Sequence, residues 1–572
     1  MRHATLATIL SLAAALAAPA ADACTNFLIT RGASADGSTM ITYAADSHEL
    51  YGELYFTPGA THLPGAKRDV YEWDTGDYLG QIDQPPVTYT VVGNINEWQV
   101  AIGETTFGGR EELGEPNGIL DYGSLMYIAL ERAKTAREAI RIMGELVAEH
   151  GYASSGESFS ISDPYEVWHM EMIGKGADEK GAVWVARRVP EGRVSAHANQ
   201  ARIRTFPLRD KKNCIYSEDV IEFARKKGWY DGPDEEFSFT DAYAPLTWTA
   251  LRFCEARVFA FFNRIAPSLD LETDYIDGDP DADPLPLFVE PDEKLSARDV
   301  MELMRDHFQG TKWDLSKGVG AGPYELPYRW RPLTWTPEPE KDQKKDEDDD
   351  DESDGEEAEK EEKEKAPEWV NERATSTQQT GFSFVAQSRN WLPDPVGGIL
   401  WFGVDDTYST VYVPMYCGIR EAPHAYAVGT ADFDAFSWDS AFWVFNFVSN
   451  YAYSRYKDMI VDVRKVQQQL EGGFLARQPA VDDAAVALHD RSPELAREYL
   501  TERSAEMAAE TVERYRELGT FLVWKYLDGN VRDEHGGVTH PGYPKHWYER
   551  IIRERGRHFR REKLPGEPDE SH

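Results

Sequence analysis

The stretch Ala21-Asp22-Ala23-Cys24-Thr25-Asn26-Phe27 constrains this chain more than any other. Residues 1–23 have the layout of a secretion signal. Arg2 and His3 come first, an apolar run rich in Leu and Ala fills 5–18, and Ala21-Asp22-Ala23 is a small-x-small cleavage site. The apolar run is too short for a stable membrane anchor. Cleavage after Ala23 would leave Cys24 as first residue, carrying both a thiol and a free α-amine, which is a nucleophile with its own base attached. Lipid modification of Cys24 is the competing use of such a site. It favours an aliphatic residue three before the Cys and a small one two before it, where this chain has Ala21 and Asp22.

The residues after Cys24 read as a β-hairpin. Residues 26–30 (NFLIT) alternate like a strand, Gly32, Ser34, Asp36 and Gly37 make a turn, and 38–44 (STMITYA) form a second strand running to Asp46-Ser47-His48. This hairpin puts Cys24 at a strand end, beside the far end of its partner. Further strands are expected at 87–92 and 100–105, with a turn at 93–96. Leu125, Ile128, Ala129, Ala136, Ala139, Ile140, Met143 and Val147 recur at helical spacing and predict one long amphipathic helix over 121–149. Strand patterns resume at 158–162, 166–172 and 182–186. Strands, a helix, then strands again argue for an α+β fold with antiparallel sheets rather than βαβ repeats. Helices are expected at 217–228 and 296–307, the second capped by Ser296, and strands at 382–387, 398–402 and 410–413. The C-terminal portion is helical, over 438–470 and 492–527, the latter opening with Ser492-Pro493. The charged last twenty residues are expected to be loosely ordered.

Composition narrows the function. The chain has 572 residues, 41% hydrophobic and 12% aromatic, enough for a folded body with a large core. Its formal net charge is −39, of which −11 lies in 338–365, a run of 17 Asp/Glu and 6 Lys. That run cannot bury apolar surface and reads as a disordered insertion within one domain spanning 24–572. The charge on the remainder repels phosphates and anionic membranes, which excludes nucleic-acid binding. Cys214, Cys254 and Cys417 are compatible with one disulfide or with buried free thiols, and no CxxC pair supports a zinc knuckle.

Among catalytic patterns, HExxH, Walker-type glycine loops and GxSxG are absent from the sequence. His169, His197 and His307 are scattered. Glu157, Glu166 and Glu171 could supply a glycosidase-like carboxylate pair, but only their separation in space would show it. Asp277, Asp279, Asp281 and Asp283 alternate like a calcium loop without its Gly and terminal Glu, and read as a solvated loop. The thiol of Cys24 remains the leading nucleophile. A terminal amine titrates near pH ~8 and can take the thiol proton, then return it to a leaving group.

Five strings in order, ACTNFLITRGASADGSTMITYAADS (23–47), VAIGETTFGGREEL (100–113), LDYGSLMYIALERAKTAREAI (120–140), GESFSISDPYEVWHMEMIGKG (156–176) and AHANQARI (196–203), resemble the bacterial cysteine dipeptidase family. That family includes dipeptidase A of lactic acid bacteria, with secernins as distant relatives. The resemblance implies an N-terminal nucleophile hydrolase fold, two stacked antiparallel sheets between helices (αββα). It also implies a metal-independent cysteine dipeptidase without cofactor that acts on small peptides. Cys24 then matches the nucleophile and Asp46 the Asp beside its amine. Asn199 and Thr105 fall at candidate oxyanion positions. Charge alone suggests Glu104 or Asp46 for a substrate ammonium and Arg202 for its carboxylate. One departure stands out: relatives carry Arg three residues before the Asp, and this chain has Tyr43. The alternatives are an N-acyl amide hydrolase like penicillin V and bile-salt acylases, or an inactive secreted binding protein. The expected location is the periplasm or the cell exterior, with no integral membrane segment after cleavage; a homo-oligomer is compatible with the sequence.

Overall fold

A computed structural model describes residues 24–47, 50–114, 117–279, 281–329, 334–335 and 369–560. The signal 1–23 and the acidic run 338–365 lie outside the described residues.

Two antiparallel sheets form the centre. The first has six strands in the order Val194–His197, Asn26–Ile29, Thr39–Asp46, Thr380–Ser388, Gly398–Val404 and Val413–Tyr416. The second has eight, in the order Cys214–Tyr216, Ala182–Arg188, Val167–Gly174, Gly156–Ser162, Ala101–Gly108, Ile95–Asn96, Val91–Val92 and Phe56–Thr57. The expected hairpin after Cys24 is present, with Leu28 opposite Ile41 and Ile29 opposite Met40. An isolated bridge between Thr25 and Ala44 extends that ladder to the residue after Cys24. Thr39–Asp46 is buried along its whole length because the Thr380–Ser388 strand covers its other edge and the second sheet lies across its face.

The sheets meet where Asn26–Ile29 and Thr39–Asp46 pack on Ala101–Gly108 and Gly156–Ser162. Gly103 makes this approach close. A Cβ there would lie 2.9 Å from the Asn26 carboxamide and 3.2 Å from the Thr42 carbonyl, so any side chain would push the strands apart. The interlayer is partly polar. The His197 ring sits 2.7 Å from the Thr105 hydroxyl and 2.8 Å from that of Ser160, which satisfies groups that would otherwise be costly to bury.

The helix expected over 121–149 is two helices, Tyr122–Leu130 and Ala136–His150. The spacing ran through the break because both halves bury apolar residues against the second sheet. The break itself comes from local capping: Asp121 accepts from Ser124 N–H and Thr135 from Glu138 N–H, so each half has its own start. The C-terminal helices are Ala441–Tyr453, Tyr456–His489 and Pro493–Lys525, and they pack on Gly398–Val404 and Val413–Tyr416 of the first sheet. The pattern at 438–470 is thus two helices, the second running on past Pro479 to His489. Ser492 caps the last of the three as expected, and Ser296 starts Ala297–Leu303 with a full capping box. Of the charged last twenty residues, 553–559 continue the helix Lys545–Phe559, and 561–572 lie outside the described residues. Among the described residues no helix is long and apolar enough to cross a membrane. All four cysteines are free.

Candidate active site

Cys24 enters the first sheet one residue before the Thr25–Ala44 bridge, and it is 5% exposed in a cleft of about 1030 Å³. Two side chains converge on it. The Tyr43 hydroxyl lies 3.8 Å from Cys24 Sγ, and Glu104 Oε1 lies 3.7 Å from it. Tyr43 in turn donates to Glu104 Oε1 at 2.5 Å. The placement is a consequence of strand geometry. Tyr43 comes from the hairpin partner strand, and Glu104 from the strand of the other sheet that Gly103 brings close. The Asn26 carboxamide holds Glu104 in register, its oxygen 3.0 Å from the Glu104 N–H and its nitrogen 3.1 Å from the Glu104 carbonyl.

Asp46 closes the other side. Its backbone N–H points at the thiol. Its carboxylate accepts from the Thr380 hydroxyl at 2.6 Å and pairs with Arg373 at 3.2 Å. Burial lifts the Asp46 carboxyl to about 6, against the pull of Arg373. A second cation, Arg257, lies beneath the nucleophile. It is fully buried and donates to the Cys24 carbonyl at 2.6 Å, the Thr25 hydroxyl at 2.8 Å and Asn199 Oδ1 at 2.9 Å. Arg257 thereby ties the nucleophile's backbone to Asn199, whose Nδ2 donates to the Thr106 carbonyl at 2.7 Å. Asn199 sits at φ +64°, a conformation Asn tolerates better than most residues, and lines the cleft.

The electrostatics oppose a resting thiolate. Burial pushes the Cys24 thiol well above its ordinary value, and the charges of Glu104 and Asp46 push the same way. Glu104 has a partner in Glu157 of the neighbouring strand, and the two carboxyl groups hydrogen-bond to each other. Burial raises both. Among the described residues neither Oε2 has another donor, and one proton held between the two carboxyl groups is the arrangement that would satisfy both.

The sequence-predicted residues therefore separate. Cys24, Asp46, Glu104 and Asn199 line the cleft together. Thr105 does not, because residues alternate along a strand: its hydroxyl faces the interlayer and His197, on the face opposite Glu104. Arg202 is also elsewhere. Its guanidinium is spent on Glu255 at 2.9 Å and on the carbonyls of Ala196 at 2.9 Å and Pro286 at 3.0 Å, with no reach into the cleft. A substrate carboxylate would have to displace these bonds. Of the three glutamates weighed as a carboxylate pair, Glu166 pairs with Arg137 and Glu171 accepts from the backbone of Arg202 and Ile203. Only Glu157 reaches the cleft, with Glu104 as its mate. Asp277 is held by Arg252 and Lys312.

Sequence reasoning missed Arg257 and Arg373. Arg257 had a usable sign: it interrupts the apolar run ARVFAFF in the helix Ala256–Ile265, and a charge on an apolar face needs buried partners. Arg373 lies in irregular chain just beyond the acidic run and carries no such mark.

The model of peptidase family C69 matches residues 23–469. A protein named "Probable dipeptidase" from Latilactobacillus sakei is 24% identical over 534 residues, covering 88% of this chain and 98% of that one. A protein of the same name from Salmonella dublin is 24% identical, covering 70% and 82%, and a "Dipeptidase" of Bifidobacterium longum is 27% identical, covering 51% and 60%. Among solved structures, penicillin V acylase from Agrobacterium tumefaciens aligns at 15% identity over 28% of this chain and 49% of its own, with a TM-score of 0.19. The family match begins one residue before Cys24 and runs through every residue placed around the thiol, so the chain belongs to peptidase family C69.

Proposed function

We propose that this chain is an exported cysteine dipeptidase whose nucleophile is the thiol of Cys24, freed at its α-amine by cleavage after Ala23. The observation that carries the reading is the position of Cys24: a buried thiol in a large cleft, between Tyr43, Glu104 and Asp46. The dipeptidase names of the relatives support the substrate class. The contacts of Ala136–His150 on the second sheet and of the C-terminal helices on the first support the αββα arrangement of N-terminal nucleophile hydrolases.

The surroundings of the thiol favour attack without a standing thiolate. Sγ attacks the peptide carbonyl as its proton leaves, because a standing thiolate is disfavoured there. The free α-amine takes the proton. Glu104, 3.7 Å from Sγ, is a second acceptor within the cleft. The tetrahedral oxyanion lies against the Asn199 amide, which Arg257 holds from behind. Collapse breaks the C–N bond, and the departing amine takes the proton from the Cys24 ammonium. Water then adds to the thioester, giving the carboxylic acid and restoring the thiol. Glu104 and Glu157 receive the substrate's α-ammonium. Its N–H groups would replace a proton shared by the carboxyl pair, which leaves to solvent, so one positive charge is exchanged for another in the same buried place.

An N-acyl amide hydrolase would need an apolar pocket for its acyl chain. The carboxylates of Asp46, Glu104 and Glu157 around the thiol favour an ammonium-bearing substrate instead. The test has two parts. Mass spectrometry of exported protein should give a mature chain starting at an unmodified Cys24, and dipeptide hydrolysis should fall at least about a thousandfold in Cys24→Ser. A chain starting elsewhere, or activity that survives Cys24→Ser, sinks the mechanism. Hydrolysis of acyl amides without dipeptides would favour the acylase.

A further inference from the structure

The cleft carries a second acidic region away from the thiol. Lys67–Tyr71 and Tyr78–Asp83 form a two-stranded hairpin, and its turn places Glu72, Trp73 and Asp74 on the cleft wall. The turn is clamped to the start of the helix Tyr122–Leu130. Trp73 N–H donates to Asp121 Oδ2 at 2.7 Å, the Ser124 hydroxyl to the Tyr71 carbonyl at 2.6 Å, and the Tyr122 hydroxyl to Asp74 Oδ1 at 2.9 Å. Gly123 leaves room for it, since a Cβ there would lie 2.3 Å from Trp73 Cγ. The Trp73 ring is fixed in turn, stacked on Tyr127 with centroids 4.4 Å apart and tilted against Tyr55 at 4.8 Å. This wall is continuous with the nucleophile's surroundings. Tyr122 feels the charges of Glu104, Asp74 and Glu157, and Asp74 acts on both glutamates.

Two features separate this surface from an ordinary solvated acidic face. Besides Asp46, which Arg373 pairs from behind, the cleft lining includes Glu72, Asp74, Glu104, Asp121 and Glu157, with no Lys, Arg or His among the described lining residues. In addition, Glu104 and Glu157, each 1% exposed, have Oε2 atoms that among the described residues no donor reaches other than the partner carboxyl. Like charges gathered in a low-dielectric cleft raise the local concentration of cations, and aromatic faces beside them add cation–π attraction.

We infer that the cleft is built for a doubly cationic substrate: Glu104 and Glu157 hold the α-ammonium, and the turn bearing Glu72, Trp73 and Asp74 selects a basic side chain on the same N-terminal residue. This rests on the dipeptidase reading for the reaction, but not for the binding preference. The preferred substrates are lysyl and arginyl dipeptides, and acidic dipeptides are excluded by repulsion.

Binding to Cys24→Ser protein separates the two ideas. Calorimetry with arginyl-alanine, lysyl-alanine, alanyl-alanine and glutamyl-alanine should give the basic pair at least tenfold lower Kd than alanyl-alanine. Glutamyl-alanine should bind weakest. The preference should shrink as salt is raised, because the turn is solvent-exposed. In Glu72→Gln/Asp74→Asn the basic-to-neutral ratio should fall tenfold, and Asp74→Lys should reverse it, with thermal midpoints confirming that both variants fold. Equal Kd values for arginyl- and alanyl-alanine, or a ratio unmoved in both variants, overturn the inference. Hydrolysis by the unmutated enzyme is scored separately: basic dipeptides bound but never cleaved would defeat the dipeptidase reading and leave the cation preference standing.

Discussion

Two groups of buried glutamates lie on the second sheet and its margins, and they differ in a way that separates scaffold from site. Glu171 and Glu255 surround Arg202. Glu171 takes backbone N–H groups from Arg202 and Ile203, the latter at 3.0 Å, and Glu255 takes the Arg202 guanidinium at 2.9 Å. Glu104 and Glu157 are equally buried, but among the described residues one oxygen of each has no donor other than the partner carboxyl. Burial raises the carboxyls in both groups, Glu171 to about 8. A raised carboxyl therefore does not mark the site here. The supply of donors does: a buried carboxylate filled by the protein holds the fold together, and one left to share a proton with its neighbour is ready for a ligand.

The largest test of that contrast is Arg202→Ala. Removing the cation strands Glu255 and should cost about 3–5 kcal/mol of stability, read as a lowered denaturant midpoint. Folded Arg202→Ala protein losing only substrate affinity would restore Arg202 to the site. Glu104→Gln should do the reverse. We expect kcat/KM to fall about a hundredfold, roughly 2.7 kcal/mol, with an unchanged midpoint; a stability loss at full activity would move Glu104 to the scaffold.

Glu157→Gln sharpens the comparison through pH. The folded Glu157 carboxyl is raised above its unfolded value of about 4.3. The native state thus binds the extra proton in the window above that value, and stability falls as pH rises through the folded value. Gln mimics the protonated form. Glu157→Gln should match the parent in thermal midpoint at pH 4 and exceed it at pH 8. An equal difference at both pH values would mean the pair does not share a proton. The smallest effect is expected at Thr105. Thr105→Val removes its hydroxyl's contact with His197 and should cost about 1 kcal/mol of stability while leaving kcat in place. A large drop in kcat would return Thr105 to the oxyanion position.

Local order in the chain determined a good part of this protein. Alternation and turn residues after Cys24 specify the hairpin, because register follows from a period of two with one turn. The same logic delivers the strands Gly156–Ser162 and Val167–Gly174 and the caps at Ser296 and Ser492. The motifs around Cys24, Asp46 and Asn199 identified three residues that line one cleft. Helix breaks escaped, since Thr135 caps a helix inside an unbroken apolar spacing. Only the tertiary structure decided which charges were free. Arg202 and Glu104 looked alike as polar residues near motifs, and the difference lies in partners remote in sequence, Glu255 for one and Glu157 for the other. Arg257 reaches the Cys24 carbonyl from 233 residues away. A buried charge is defined by what satisfies it, and that is set by which strands and helices meet, which no local pattern encodes.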